Sequence, residues 1–317
     1  MVVSSEAGRG EITRTGDIVE FDRRSLRLRN TNGQEIEIPA SQIREFHYGR
    51  LASHQAADAL RHAGDPAAAE AYAKAAAEEP RRWVRHEIAA ARIPLLLREA
   101  AGREAEDRSV VEAGETFRRM LAENRDTRRF HAIPLNWVTH TPSPELTAAA
   151  KRWLLEEEAA VQLLGASWLL ASPERAQAVD ALGGLRTSGD ARVAALAEAQ
   201  LWRTQEVSIA REGADRWAAA IARMPEELTA GPSFILGRAY ARLGDHEAAV
   251  LRLLRGPLLE AGGPALAAEA LTAAGKDLEP LGRAGQAVTI YEEAIRRYGD
   301  TLAAEGARQR LAEAANK

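Results

Sequence analysis

The chain has 317 residues, 46% of them hydrophobic and 28% charged, with a formal net charge of −4. That balance belongs to a folded globular protein and lacks the basic excess of a whole-molecule nucleic-acid footprint. Cysteine is absent, which removes disulfides, thiolate catalysis, cysteine-ligated zinc and iron–sulfur clusters together.

Residues 1–10 read as a flexible arm. MVVSSEAGRG carries no apolar h-region, so the expected compartment is the cytoplasm, with the periplasm or cell envelope as the alternative for a truncated N-terminus. No apolar run approaches the ~20 residues of a membrane span.

Over 11–48 the period is that of strands: GEITRT from Gly10, then DIVEFD, SLRLRN, QEIEIP and QIREFHY, separated by turn residues. The hairpin at Asn32–Gly33 can be registered. A two-residue loop sets Leu28 opposite Glu37 and mixes apolar with charged residues on one face. A three-residue loop, Thr31-Asn32-Gly33 with Gly33 left-handed, pairs Leu28 with Ile36 and Leu26 with Ile38. Arg29 then faces Glu35 and Arg27 faces Glu37 on the other side. Strands this short predict a small SH3-like or Sm-like barrel leaning on the first helix.

From 49 to 125 the period becomes helical, in successive amphipathic runs with Gly-Asp or Pro at several junctions. Short connections force antiparallel helix pairs. Residues 126–144 have no clear period and read as an ordered linker that packs its aromatics, ending at Ser143 as a helix cap before Pro144. Helices are expected at 145–157, 158–171, 174–185, 190–204 and 213–223. Over 226–317 they are expected at 232–243, 246–255, 264–280, 284–298 and 301–315.

Helix pairs at this spacing call for a search for repeats. In FILGRAYARLGDHEAAVLRLLRG, Leu236, Gly237, Tyr240, Gly244, Ala249, Leu253 and Gly256 are spaced as in the tetratricopeptide repeat. Gly275, Leu278, Gly282, Ala287, Tyr291 and Ala294 repeat those offsets, and Gly64, Ala68, Tyr72, Ala75 and Pro80 give a third match with a shorter turn. A fourth, led by Trp83 with Ala113 and Phe117, carries an insertion around Arg103–Ser109. The chain resembles the tetratricopeptide-repeat (TPR) superfamily over 49–125 and 226–317. Its ending, YGDTLAAEGARQRLAEA, is similar to the polar capping helix of bacterial envelope proteins with such repeats. The β-module and repeats together resemble bacterial TPR proteins with a small N-terminal β-module. Residues 145–225 fit the repeat poorly and read as HEAT-like or degenerate repeats. The fold expected is mainly α, an α-α superhelix with TPR-like ends, a HEAT-like centre and a small β-barrel-like module.

The chemistry-bearing patterns are few. His54, Asp58 and His62 share one helix face, but i to i+8 spans about 12 Å along the axis, too far for two ligands on one ion. They read as polar residues of an exposed face. The other histidines (47, 86, 131, 140 and 246) are scattered, and no phosphate-loop, HExxH or nucleophile-elbow pattern occurs. The expectation is therefore no cofactor and no metal. The runs Glu156–Glu158 and Glu78–Glu79 read as solvated helix ends. Six tryptophans, at 83, 137, 153, 168, 202 and 217, read as inter-helix core, with a catalytic pocket in the Trp-rich centre as the weakest reading. Arg23, Arg24, Arg27 and Arg29 invite RNA binding by the β-module, but the hairpin register sets Glu35 and Glu37 across from two of them.

The resemblance implies a non-enzymatic scaffold that binds a protein or acidic peptide on the concave face of a solenoid. The superfamily's groove positions fall on Phe234, Arg238, Arg242 and Lys276, with Arg50, Ser53 and Arg61 in the first repeat. That set is net positive and implies an acidic or carboxylate-bearing partner.

Overall fold

The structure, a computed structural model, describes residues 2–6, 10–100, 107–139, 141–259 and 263–315. Part of the expected arm, part of the insertion around Arg103–Ser109, and His140 lie outside the described residues. The chain is mainly helical with a small N-terminal β-module. It divides into two compact units, residues 1–96 with 113–133 and residues 97–112 with 134–317.

The first unit opens with β1 (Val2–Glu6), where a loose arm was expected, paired antiparallel to β2 (Gly10–Arg14). Then come β3 (Asp17–Phe21), β4 (Ser25–Arg29), β5 (Glu35–Pro39) and β6 (Ile43–Phe46). They form two three-stranded sheets, ordered β2-β1-β6 and β3-β4-β5. The expected barrel is not closed. β5 ends on Pro39, which has no N–H to donate, and the 3-10 turn Ala40–Gln42 separates it from β6. Strands of four or five residues are also too short to wrap into a continuous ladder.

The β4–β5 hairpin has the second of the two registers weighed above: Leu26 faces Ile38, Leu28 faces Ile36, Arg27 faces Glu37 and Arg29 faces Glu35. Asn30 N donates to Gln34 O at 2.9 Å, and Gly33 closes the loop at φ +80°. A one-residue slip would expose both leucines, so burial fixes the pairing.

Phe21, Leu26, Leu28 and Ile38 share one core with Ala57 of α1 (Ala52–His62), Tyr72 and Ala75 of α2 (Ala68–Glu78), and Trp83, Val84 and Ile88 of α3 (Arg82–Ala100). The sheets thus borrow helices to complete a core they are too small to build. The first unit also holds most of α4 (Asp107–Glu123). Glu79, expected in solvent, is buried and bound through both oxygens by Arg81.

Two buried histidines are expected to make this unit acid-sensitive. His54 and His86 are 4% and 3% exposed, and burial holds both imidazoles below the ordinary 6.5. Asp58 and Glu79 oppose that shift at His54 while Arg50 and Arg81 reinforce it. Glu123 and Glu20 oppose it at His86, where Arg82 reinforces it. Below pH 6.5 the unfolded chain binds protons that the folded chain does not, so stability falls as pH drops through that value. Urea midpoints of the wild type should be flat above pH 6.5 and decline below it, and the decline should flatten in the double variant His54→Gln/His86→Gln. An unchanged acid slope in that variant would assign the sensitivity elsewhere.

The second unit holds α5 (Pro144–Leu154), α6 (Ala159–Leu169), α7 (Arg175–Leu185), α8 (Ala191–Trp202) and α9 (Arg211–Ile221). It continues with α10 (Ala230–Arg242), α11 (His246–Leu253), the single turn α12 (Arg255–Leu258), α13 (Pro264–Leu278), α14 (Ala284–Tyr298) and α15 (Leu302–Ala315). Ser143, Asp190 and Asp245 cap α5, α8 and α11 by accepting from the N–H groups of Leu146, Arg192 and Ala248.

Packing in this unit is local in sequence. Helices touch the next one along (α5–α6, α6–α7, α7–α8, α10–α11, α13–α14, α14–α15) and often the one beyond (α6–α8, α8–α10, α11–α13, α13–α15). Glycines mark the closest crossings. A Cβ on Gly237 would lie 2.7 Å from Leu253 Cγ, and one on Gly275 would lie 2.4 Å from Tyr291 Cε1. All six tryptophans of the chain are buried, with Trp202 and Trp217 stacked at 5.0 Å.

Candidate functional site

The extended stretch before Ser143 is held by side chains of α6 and α8: Trp168 donates to the Pro134 carbonyl at 3.0 Å and Gln200 to the Asn136 carbonyl at 3.1 Å. Arg203, at the C-terminal end of α8, donates to the Asn136 carbonyl at 2.8 Å, the Ser167 carbonyl at 2.9 Å, Gln200 Oε1 at 2.7 Å and the Val138 carbonyl at 3.3 Å. Burial lowers its pKa to about 10, with Arg238 and Arg175 acting in the same direction and Glu206 against it. It remains a cation at neutral pH.

Beside Arg203 lies a cavity of about 220 Å³. Trp137, Thr139 and Thr141 of the extended stretch form one wall, Arg175 at the start of α7 another, Thr204 and Glu206 a third, and Ile235 and Arg238 of α10 the last. Arg175 is exposed and makes no ion pair among the described residues; it donates to the Leu170 carbonyl at 3.3 Å. Arg203 likewise has only neutral oxygens as hydrogen-bond partners.

The single carboxylate in the lining is Glu206, 6% exposed. Its Oε1 forms an ion pair with Arg238 at 2.7 Å and accepts a hydrogen bond from Arg242 at 3.5 Å. Its Oε2 is buried and accepts no hydrogen bond. Three guanidinium groups therefore line the cavity with one carboxylate, whose free oxygen lacks a donor.

The residues singled out from the sequence fall in both units. Arg238 and Arg242 meet at Glu206, and Phe234 is buried under Arg238, whose guanidinium carbon lies 5.6 Å from its ring centre. Phe234 is thus a support for Arg238 and offers no surface of its own. Lys276 is exposed on α13, where it and Arg238 favour the charged form of Glu269; burial nonetheless raises the Glu269 pKa. In the first unit Arg50 is tied to Asp58 at 2.6 Å, Ser53 Oγ is buried without a hydrogen-bond partner, and Arg61 is exposed. Asp58 also accepts from the Tyr72 hydroxyl at 2.6 Å, and burial together with that bond raises the Tyr72 pKa to about 12.

His54, Asp58 and His62 do not form the exposed polar face expected, because His54 is packed between Tyr48 and Tyr72. No group of three candidate metal ligands occurs among the described residues. None of the described helices is long and apolar enough to cross a membrane.

The four arginines singled out in the β-module, Arg23, Arg24, Arg27 and Arg29, each face a carboxylate. Arg23 and Arg24 reach Asp126 at 3.1 Å, and Arg27 and Arg29 reach Glu35 at 3.8 and 2.7 Å.

Sequence reasoning missed Arg175, Arg203 and Glu206. Arg203 and Glu206 sit in LWRTQEV, which has no motif, and only folding brings that segment to Arg175, Trp137, Val138, Thr139 and Thr141. No family model, no curated protein and no solved structure matches the chain.

Proposed function

We propose that the chain is a non-enzymatic interaction protein, its helix pairs stacked as a TPR-like solenoid with a HEAT-like centre. The second unit takes an acidic segment of a partner protein. The observation that carries this is the convergence of Arg175, Arg203 and Arg238 on one cavity with Glu206 as the sole carboxylate of the lining. Guanidinium groups in a recess recognise carboxylate or phosphoryl oxygens because their paired N–H groups match two acceptors at once. The nearest-neighbour packing of α10–α11 and α13–α14, closed at Gly237 and Gly275, supports the repeat reading.

RNA binding by the β-module draws less support. Arg23, Arg24, Arg27 and Arg29 are offset by Asp126 and Glu35, and Arg128 covers the rings of Phe21 and Phe46 at 4.2 and 4.8 Å. Bases would have to displace that arginine to stack.

The test uses the full chain and a fluorescein-labelled peptide of alternating Glu and Asp, followed by anisotropy at low salt. The double variant Arg175→Glu/Arg238→Glu should weaken binding by about tenfold or more, as expected for losing charge-assisted hydrogen bonds. Salt should weaken the wild type more steeply than the variant. Equal affinities for wild type and variant would overturn the reading.

A further inference from the structure

The first unit holds a cavity of its own, about 260 Å³, where α2, α3 and α4 converge. One wall is alanine throughout (Ala73, Ala76 and Ala77 of α2), and the buried side chains of Ile88 and Met120 complete an apolar recess. Methyl groups do not reach across the space that leucines at those positions would fill. The rest of the lining is polar, and its charges do not cancel. Glu123, the sole carboxylate of the lining, is taken by Arg85, which donates to both of its oxygens at 3.0–3.3 Å. His86 Nε2 stands 3.4 Å from the same carboxylate. Arg92 is buried and donates to the Ala69 carbonyl at 3.0 Å and to Thr116 Oγ1 at 3.2 Å. Arg119 is exposed, donates only to the Glu115 carbonyl at 3.3 Å, and makes no ion pair among the described residues. An apolar recess thus opens beside Arg92 and Arg119, with Glu123 already committed to Arg85.

We propose that this cavity binds a small organic acid, its apolar body in the alanine-walled recess and its carboxylate on Arg119. Arg119 is the anchor because it turns to a ligand without breaking an ion pair, and its paired N–H groups match two carboxylate oxygens. Arg92 adds a fixed positive charge in the buried wall, where the field of a charge is less screened than in water. Size limits the ligand. An apolar cavity of roughly 150 Å³ holds benzene, so about 260 Å³ admits a ring and a short acid arm. It falls below the roughly 300–1,000 Å³ of sites for drug-sized molecules. A bare inorganic anion would leave the recess empty, and a purely apolar molecule would leave Arg119 unused. The lining therefore selects a molecule with both halves. All of these residues belong to the first unit, so the inference stands apart from the acidic-segment reading of the second.

The experiment is a ligand-observed NMR titration of the full chain at neutral pH with three probes: 3-phenylpropionate, its neutral analogue 3-phenylpropan-1-ol, and propionate. 3-Phenylpropionate should bind with a dissociation constant of about 1 mM or tighter, in keeping with its size. The alcohol should bind about tenfold more weakly for want of the charge-assisted hydrogen bonds. Propionate, which has no ring for the recess, should show no saturable binding. Arg119→Gln, at an exposed position, should weaken the acid about tenfold and leave the alcohol unchanged. Ala73→Leu fills the recess and should abolish binding of both aromatic probes.

Circular dichroism checks that each variant is folded, and the three-probe comparison on the wild type decides alone if Ala73→Leu is not. Equal affinity for acid and alcohol in the wild type, or no binding of the acid at about 10 mM, would overturn the proposal. So would undiminished binding in a folded Ala73→Leu chain, which would place the probe elsewhere. The double variant Arg175→Glu/Arg238→Glu separates the two cavities and should leave 3-phenylpropionate binding unchanged. Loss of binding there would put the acid in the second unit and remove this inference, while the labelled Glu/Asp peptide still decides the acidic-segment reading.

Discussion

Trp83→Ala should destabilise the first unit by about 3–5 kcal/mol, the range for emptying a fully buried large aromatic site. Trp83 is 2% exposed and stands where the sheets meet the helices. Tyr48 meets its ring edge-on at 4.8 Å, Phe46 lies at 6.3 Å, and its indole N–H donates to the Ile18 carbonyl at 3.2 Å. Among the described residues, the β-module contributes Phe21, Leu26, Leu28 and Ile38 to this core. Most of its anchorage therefore runs through this side chain and its neighbours in α1–α3. Trp83→Phe separates the contributions: it keeps much of the packing and should lose about 1 kcal/mol with the hydrogen bond to Ile18, plus part of the volume. Urea unfolding followed by far-ultraviolet circular dichroism reads both variants, and a chain with two units is best fitted with two transitions. The transition of the first unit should move far for alanine and modestly for phenylalanine. If alanine leaves both midpoints in place, Trp83 does not hold the sheets to the helices.

Much of this architecture is written locally. The β4–β5 register follows from one requirement, that Leu26 and Leu28 face Ile38 and Ile36, and the structure has that register. Helix positions were legible for the same reason, since an apolar stripe at helical spacing reports which side is buried. The helix expected at 284–298 is Ala284–Tyr298, and that expected at 301–315 is Leu302–Ala315.

What could not be read is what depends on meeting across the fold. β1 pairs with β6, some forty residues further along, and VVSSE is too short to declare a strand alone. Sheet closure was misjudged because alternation reveals a strand's faces and not whether its edges find partners. His54 read as a surface residue among polar neighbours, yet Tyr48 and Tyr72 enclose it. The arginine cavity draws on four separated segments, and neither periodicity nor motif ties Arg175 to Glu206. Arg238 was found through its repeat offset, but its carboxylate partner was not, so a residue expected to be free for a ligand proves to be half committed at 2.7 Å.

The second large effect should come from the smallest substitution available. Gly165 lies in α6 where it crosses α5, and a Cβ there would sit 2.4 Å from the Ala150 carbonyl oxygen and 2.7 Å from the Leu154 nitrogen. Both are backbone atoms of a neighbouring helix, so no side-chain rotation relieves the clash, and the two helices must part. Alanine in place of glycine gains about 1 kcal/mol of helix propensity. Overpacking costs typically 1–3 kcal/mol and more where the backbone has to move. The clash should win, and Gly165→Ala should lower the stability of the second unit by about 2 kcal/mol net. Gly183 in α7 supplies the control, because nothing lies within 4 Å of a Cβ built there and the position is exposed. Gly183→Ala should therefore raise stability by about 0.5–1 kcal/mol through propensity alone. The same chemical change is thus expected to shift the urea midpoint in opposite directions at two helical glycines eighteen positions apart. Shifts of the same sign would mean that α5 and α6 do not cross at backbone contact and that Gly165 is an ordinary helix residue.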